Sequence, residues 1–479
     1  MFTLDRDSPL PLAQQIERQL LALLRQGRLA PGARLPSIRQ LAAQLGVSPN
    51  TVVVAYDRLV AEGWLEPRGT AGCFVAQPGA RPADEATLIE AGVEQDAVWM
   101  AQQAHDLPVG LLQASSGALP ANWLQEAVPR SVLQRAFDGL PGGMAARCPA
   151  QGAAALRERL STLLRGQGIV ADAARIMTTA GATQAIDLIC RAFVKPGDAV
   201  IVEDPGYHLL QARLADSGAR IVGVPRVAEG VDLERFEAAL RAHRPRLAFI
   251  QTRLHNPTGW TASPANLYRL LTLAEQHGLL IAEDDVYGHL LPGPGTTLAQ
   301  LAGLSRVIYY SSFCKVLSPA LRVGYLAAEP AVLQPLLRQK IFACLSGATL
   351  NEAVMAELLA GGRVRKHMER LQQRLAGARH ASLAVLQDVG LAFDQPAQGG
   401  LFLWGRLPAG VALEPLVKDA WQQAILLAGG PTFSTLAEHA NCVRFNVVHA
   451  QNVRLSRYLR EHFDAVEVGR RAVERAARG

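Results

Sequence analysis

The sequence predicts an α/β protein of 479 residues in two parts, a small N-terminal helical unit ending in a hairpin and a much larger unit built on a mixed, mainly parallel sheet. Three observations carry this reading. Between residues 9 and 77, apolar stripes at helical spacing alternate with capping residues and close on two short strand patterns. From 78 to 110 the composition turns to Pro, Gly, Ala and acids without an apolar period, which is long for a loop inside one domain and reads as a linker. From 111 to 479, short runs of Val, Ile and Leu alternate with amphipathic stretches, as buried strands and covering helices of a parallel sheet do. Size agrees, since single cores stop growing near roughly 250 to 300 residues.

In the first part, Leu12, Ile16, Leu20 and Leu24 recur every four residues and predict one helix that stops at Gly27. "LPSIRQLAAQLG" predicts a second, with Ser37 as N-cap and Gly46 as stop. "SPNTVVVAYDRLVAEG" predicts a third, capped by Ser48, with Pro49 at its first position and Gly63 as stop. The strands "WLEPR" and "GCFVA" flank the turn "GTAG". By spacing alone this order fits a winged helix-turn-helix and a small helical cap with a hairpin equally well. In the second part the strand runs are "DAVIVED", "ARIVGVP", "RLAFIQT", "LLIAEDD", "RVIYYSS" and "RVGYLAA". Ligands collect beyond the carboxyl ends of such strands, so the residues just after each run are the candidates for chemistry.

Composition narrows the function classes. A net charge of +6, from 48 basic and 42 acidic residues, permits a nucleic-acid partner without establishing one. The six cysteines, at 73, 148, 190, 314, 344 and 442, form no CxxC pair and no zinc spacing, so reduced thiols of a cytoplasmic protein and no metal are expected. "MFTLDRDSPLP" lacks a basic segment followed by an apolar one, and no run of about 18 apolar residues occurs, so neither export nor a membrane span is expected.

Just after the strand ends come Asp204 to Tyr207 ("DPGY"), Asn256 to Gly259 ("NPTG"), Asp284 to Tyr287 ("DDVY"), and Ser312 with Lys315. In "TTAGATQAIDLICRAF", a small-residue turn opens a helix, and the unpaired amides of Gly181, Ala182 and Thr183 suit a phosphate. A phosphate seat, an aromatic ring, an acid, an amide and a lysine together suit pyridoxal 5'-phosphate. Lysine can form the Schiff base that arginine cannot. The chain has five lysines, and Lys315 ends an apolar stretch. Lys195 reads as part of a turn, while Lys340, Lys366 and Lys418 read as solvated helix surface. Taken singly, Asp204-Pro205-Gly206 fits a plain turn, Asn256-Pro257 a strand terminator and Arg444 a surface cation; the order and spacing of all the pieces favour the cofactor.

Through "HNPTG", "EDDVY" and "SSFCKVLSPALRVG", residues 111–479 resemble the fold-type I aminotransferases. The resemblance implies that Lys315 carries the cofactor, Asp284 pairs with its pyridine nitrogen, Asn256 and Tyr287 contact its phenolic oxygen and Tyr207 stacks on its ring. Ala182, Thr183, Ser312 and Arg322 would hold the phosphate, and Arg444 in "NCVRFNVV" would grip a substrate carboxylate. Residues 1–77 resemble a GntR-type winged helix, particularly through "GRLAPGARLPSIRQLA" and "AYDRLVAEGWL". The whole is similar to the MocR-type regulators. That implies double-stranded DNA as partner, contacted through Arg39, Ser48, Asn50, Thr51, Arg68 and Gly69, with an amine or amino-acid effector. It also implies a homodimer whose linkers are long enough for each N-terminal domain to lean on the other subunit. Three departures stand out: Pro49 follows the serine where related DNA readers carry an arginine, Cys314 replaces a serine, and "AARCPAQG" lacks a tyrosine and has Arg147 and Cys148 instead. The expectation is a regulator that senses an amine, an amino acid or the cofactor itself and turns over slowly. An active aminotransferase is the alternative, and a decarboxylase or lyase ranks third.

Overall fold

Local capping sets the first unit. The computed structural model describes residues 4–5, 10–25, 29, 32–61, 64–67, 72–75, 97–106, 110–140, 142–145, 147–293, 295–395, 397 and 399–476. These form two units, one of residues up to 75 with 110–111, the other of 97–106 with 112–476. The small unit contains α1 (Leu12–Arg25), α2 (Ile38–Leu45), α3 (Pro49–Ala61), β1 (Leu65–Pro67) and β2 (Cys73–Val75). Ser37 Oγ accepts the Gln40 amide while the Gln40 side chain accepts the Ser37 amide, a reciprocal cap that fixes the start of α2. Gly46 stops α2 at φ 61°, a left-handed conformation that glycine adopts without a Cβ penalty. Ser48 caps α3 by accepting the Thr51 amide at 3.2 Å. Ile16, Leu20, Leu41, Val52 and Leu59 meet Leu65 and Val75 in one core, so the antiparallel hairpin packs on the three helices as a wing. The expected stops Gly27 and Gly63 and the wing turn, with Arg68 and Gly69, lie outside the described residues.

Part of the stretch read as linker is helical. Within 78–110, α4 (Ala97–Asp106) belongs to the large unit: Trp99 meets Trp421 edge to face at 4.8 Å, and Met100 is buried. Two large apolar side chains in a polar segment supplied enough burial for one helix, a signal too short to register as a period.

The large unit carries β3 (Ile176–Thr179), β4 (Ala199–Asp204), β5 (Arg220–Val227), β6 (Gly230–Val231), β7 (Leu247–Gln251), β8 (Leu280–Asp284), β9 (Val307–Ser312) and β10 (Gly324–Ala327) in one sheet, ordered β3-β10-β9-β8-β7-β4-β5-β6. β5, β4, β7, β8 and β9 run parallel; β10 is antiparallel to β9 and β3, and β6 to β5. All six expected runs are strands of this sheet. β4, β7 and β9 are buried at every residue, which is why they read as continuous apolar runs rather than alternating ones. A second, antiparallel sheet orders β11 (Phe402–Arg406), β13 (Cys442–Asn446) and β12 (Ala428–Gly429). All six cysteines are free. Among the described residues, no helix is long and apolar enough to cross a membrane.

Candidate functional site

The parallel strands deliver their carboxyl ends to one rim. β4 ends at Asp204, β7 leads into the loop holding Asn256, β8 ends at Asp284, and β9 ends at Ser312, three residues before Lys315. Pairing of Gln251 with Asp284 and of Asp284 with Tyr310 keeps these ends level.

The turn expected to seat a phosphate is built by close approach. Gly181, at φ 87°, is the N-cap of the helix Ala182–Phe193. A Cβ there would lie 3.0 Å from Arg322 Nη2 and 3.3 Å from Cys314 Sγ. Arg322, itself left-handed at φ 48°, donates to the Ala180 carbonyl at 2.9 Å and reaches Cys314 Sγ at 3.6 Å. Ser312 Oγ accepts the Cys314 amide at 3.2 Å, and the Thr183 side chain is exposed at the helix start. A side chain at position 181 would crowd the Arg322 guanidinium and the Cys314 thiol, so glycine permits their close approach to the helix start.

Charge is deployed unusually around Lys315. Burial lowers the pKa of its amine; neighbouring Cys314 opposes the shift, and Arg444 and Arg322 add to it, which enriches the nucleophilic free amine. Asp284 accepts the Val286 amide at 2.9 Å and the Tyr310 hydroxyl at 3.2 Å, and burial pushes its carboxyl up to about 7. Arg444 is buried between the rings of Phe402 and Phe433, 4.7 and 4.6 Å from their centroids. Its guanidinium donates to Asn256 Oδ1 at 2.7 Å and to the Ser115 carbonyl, and burial lowers its pKa to about 10. Among the described residues neither Asp284 nor Arg444 has an ion-pair partner. Tyr207 lies near Asp284, and burial, reinforced by that carboxylate, raises its phenol to about 12. Tyr287 packs edge to face on Phe402 and donates to the Gly117 carbonyl at 3.4 Å.

Lys315, Asp284, Asn256, Tyr207, Tyr287, Ser312, Arg322, Arg444 and the Gly181 turn therefore belong to one neighbourhood. Sequence reading missed Gly117, where a Cβ would lie 3.3 Å from Tyr287 Oη and 4.0 Å from Lys315 Nζ, and the Phe402 and Phe433 rings. Only the small-residue run "QASSGALP" hinted at the first; a buried phenylalanine looks like any core residue. It also missed the support beneath Asn256: Gln251 Oε1 accepts the Asn256 amide, and Glu203 accepts from Arg226 and the Gln251 amide. One reading is corrected. Lys340, taken as solvated, is 1% exposed, because the helix Pro330–Cys344 turns it inward toward Thr178.

In the small unit, Arg39, Ser48 and Asn50 are exposed and Thr51 is half-buried. The Ser48 and Thr51 hydroxyls lie 2.8 Å apart, within hydrogen-bond reach of each other.

Comparison with known proteins agrees in both units. Residues 111–459 match the family described as aminotransferase class I and II, and residues 12–75 match the gntR family of bacterial regulatory proteins. The HTH-type transcriptional regulator YdcR of Escherichia coli (strain K12) is 29% identical over 90% of this chain and 94% of its own. The probable rhizopine catabolism regulatory protein MocR of Rhizobium meliloti is 29% identical over 78% of this chain and 77% of its own. Among solved structures, LysN, the alpha-aminoadipate aminotransferase of Thermus thermophilus complexed with N-(5'-phosphopyridoxyl)-L-leucine, superposes with a TM-score of 0.70. It is 26% identical and covers 80% of this chain and 97% of its own.

Proposed function

The chain belongs to the aminotransferase class I and II family and carries a gntR-family domain ahead of it, and on that premise we propose a MocR-type, pyridoxal-phosphate-dependent transcription regulator that senses an amine or amino acid. The observation that carries this reading is the pair of opposite charges in the neighbourhood of Lys315, half-buried Asp284 and buried Arg444, neither of which has an ion-pair partner among the described residues. An isolated buried ion is costly, so each calls for a partner from outside the chain.

Lys315 Nζ would hold the cofactor, Asp284 would face its pyridine nitrogen, Tyr207 its ring, and Asn256 and Tyr287 its phenolic oxygen. The amides of Gly181, Ala182 and Thr183, with Ser312 and Arg322, would hold its phosphate. Pyridoxal 5'-phosphate supplies an electrophilic carbon that exchanges one amine for another and an electron sink for the adjoining bonds. Arg444 takes the effector carboxylate, where a planar guanidinium forms two parallel charge-assisted bonds. Sensing requires ligand exchange and a shift between two states of the protein, without the proton transfers that complete transamination.

The small unit binds duplex DNA, with Arg39, Ser48, Asn50, Thr51, Arg68 and Gly69 as its contacts. The protein works in the cytoplasm as a homodimer. The exposed Phe342 and Leu345 beside Ile341 support pairing, since contiguous apolar surface marks contact sites. Residues 1–77 are the DNA-binding domain, 78–110 the connection, of which α4 packs with the large unit, and 111–479 the sensor.

The test follows the cofactor spectrum and DNA affinity together while amino acids are added to the full-length protein. Both should shift over the same concentration range, with amino-group transfer well below about 1 per second. Arg444→Met should lose the response to amino acids and keep that to amines lacking a carboxylate. A spectral shift that leaves DNA affinity unchanged removes the coupling a regulator needs. Steady transfer at about 1 per second or faster would instead favour a working aminotransferase.

A further inference from the structure

Away from the residues assigned so far, one charged cluster is enclosed by the large unit. Lys340 is 1% exposed and Glu352, on the helix Thr349–Ala360, is 3% exposed. Thr178 of β3 links them: its hydroxyl accepts from Lys340 Nζ at 3.2 Å and donates to Glu352 Oε1 at 2.7 Å. The other carboxylate oxygen accepts the Ala153 amide at 2.7 Å, and burial, reinforced by the nearby Glu352 charge, raises the pKa of the Cys148 thiol. The cluster is tightly fitted. Thr178 leaves no room for a Cβ on Gly152, whose φ is 115°, and Glu352 leaves none on Gly347.

These contacts hold the "CPAQG" turn on β3. The Thr178 amide donates to the Gln151 carbonyl at 3.0 Å, and the Gln151 side chain donates to the carbonyls of Ala174 and Ile176. The chain then runs from Thr178 directly into the phosphate turn, where Thr179 Oγ1 donates to the Gly181 carbonyl at 3.0 Å and Arg322 grips Ala180. A carboxylate with two defined donors, opposed by an ammonium on the same hydroxyl, fixes direction in a way that apolar packing does not.

We infer that Lys340 and Glu352 are positioning residues for the phosphate end of the cofactor site, acting through Thr178 on the turn Thr179–Gly181. Neither touches the ligand; together they set where the Gly181 amide and the Arg322 anchor stand. Each needs the other, because removing one charge strands its partner in the interior. This rests on the reading that a phosphate sits at the Gly181 turn.

The test compares pyridoxal 5'-phosphate with pyridoxal, which has the same ring and aldehyde but no phosphate. Full-length wild-type, Lys340→Met, Glu352→Gln and Thr178→Val proteins are titrated with each, following absorbance of the Lys315-bound chromophore. In the three variants the affinity for pyridoxal 5'-phosphate should fall by about tenfold or more, while that for pyridoxal stays within about twofold. Arg322→Ala should give the same selective loss. Equal losses for both ligands, or unchanged affinity for the phosphorylated one, overturn the inference. Thr178→Val removes one hydroxyl and keeps the β-branched shape, so it carries the test if a charge variant fails to fold. A wild-type protein that binds pyridoxal as tightly as the phosphorylated form overturns the phosphate reading itself, and the inference falls with it.

Discussion

Replacing Asp284 with asparagine should weaken cofactor binding and stabilise the empty protein at the same time. The carboxylate is held by the Val286 amide and the Tyr310 hydroxyl without a cationic partner among the described residues, and burial pushes it up to about 7. Its folded pKa therefore lies above its unfolded one, so the folded apoprotein binds the extra proton between about pH 4 and 7. The associated stability is fully present below the unfolded value and is lost as pH rises through about 7. At pH 8 the wild-type apoprotein carries an unpaired carboxylate, and Asp284→Asn should relieve it by on the order of 2 kcal/mol after allowance for partial exposure. With the cofactor the sign reverses. A charge-assisted bond to a protonated pyridine nitrogen is worth about 1.5 to 3 kcal/mol, so the variant should bind about 10- to 150-fold more weakly. Urea denaturation of both apoproteins from pH 4 to 8, with absorbance titration at pH 8, measures both effects. Equal cofactor affinity, or an apoprotein stability difference that shrinks as pH rises, would refute the reasoning.

Two further outcomes are expected. Wild-type protein should be yellow, and borohydride should fix the cofactor mass to the peptide containing Lys315, with Lys315→Ala showing neither; label on Lys340 or another lysine would reassign the site. Binding to duplex with paired half-sites should weaken steeply as salt rises and vanish without residues 1–77, and Arg39→Ala should cost about 1 to 3 kcal/mol if it reads a base edge; a gel shift by the truncated protein would remove the small unit from DNA recognition.

What the sequence determined by itself is local or periodic. Ser37 with Gln40, Gly46, and Ser48 with Pro49 specify helix ends within four residues of themselves, and the capping bonds form there. Continuous apolar runs such as "AVIVED" mark strands buried on both faces, and chemistry gathers where they stop. Tertiary structure decided what each charge meets. In "EDD" the strand alternation sends neighbouring acids to different partners: Glu283 accepts the Leu298 and Ala299 amides, Asp285 pairs with Arg253, and Asp284 accepts the Val286 amide and the Tyr310 hydroxyl with no cationic partner among the described residues. Arg444 finds the Ser115 carbonyl 329 residues away, and Lys340 finds Thr178 at a separation of 162. Periodicity gives the direction of a side chain on its own element but says nothing of the element packed against it. A lysine on a helix therefore reads as solvated until folding buries it beside a glutamate, and folding also decides which buried charges the chain leaves unpaired.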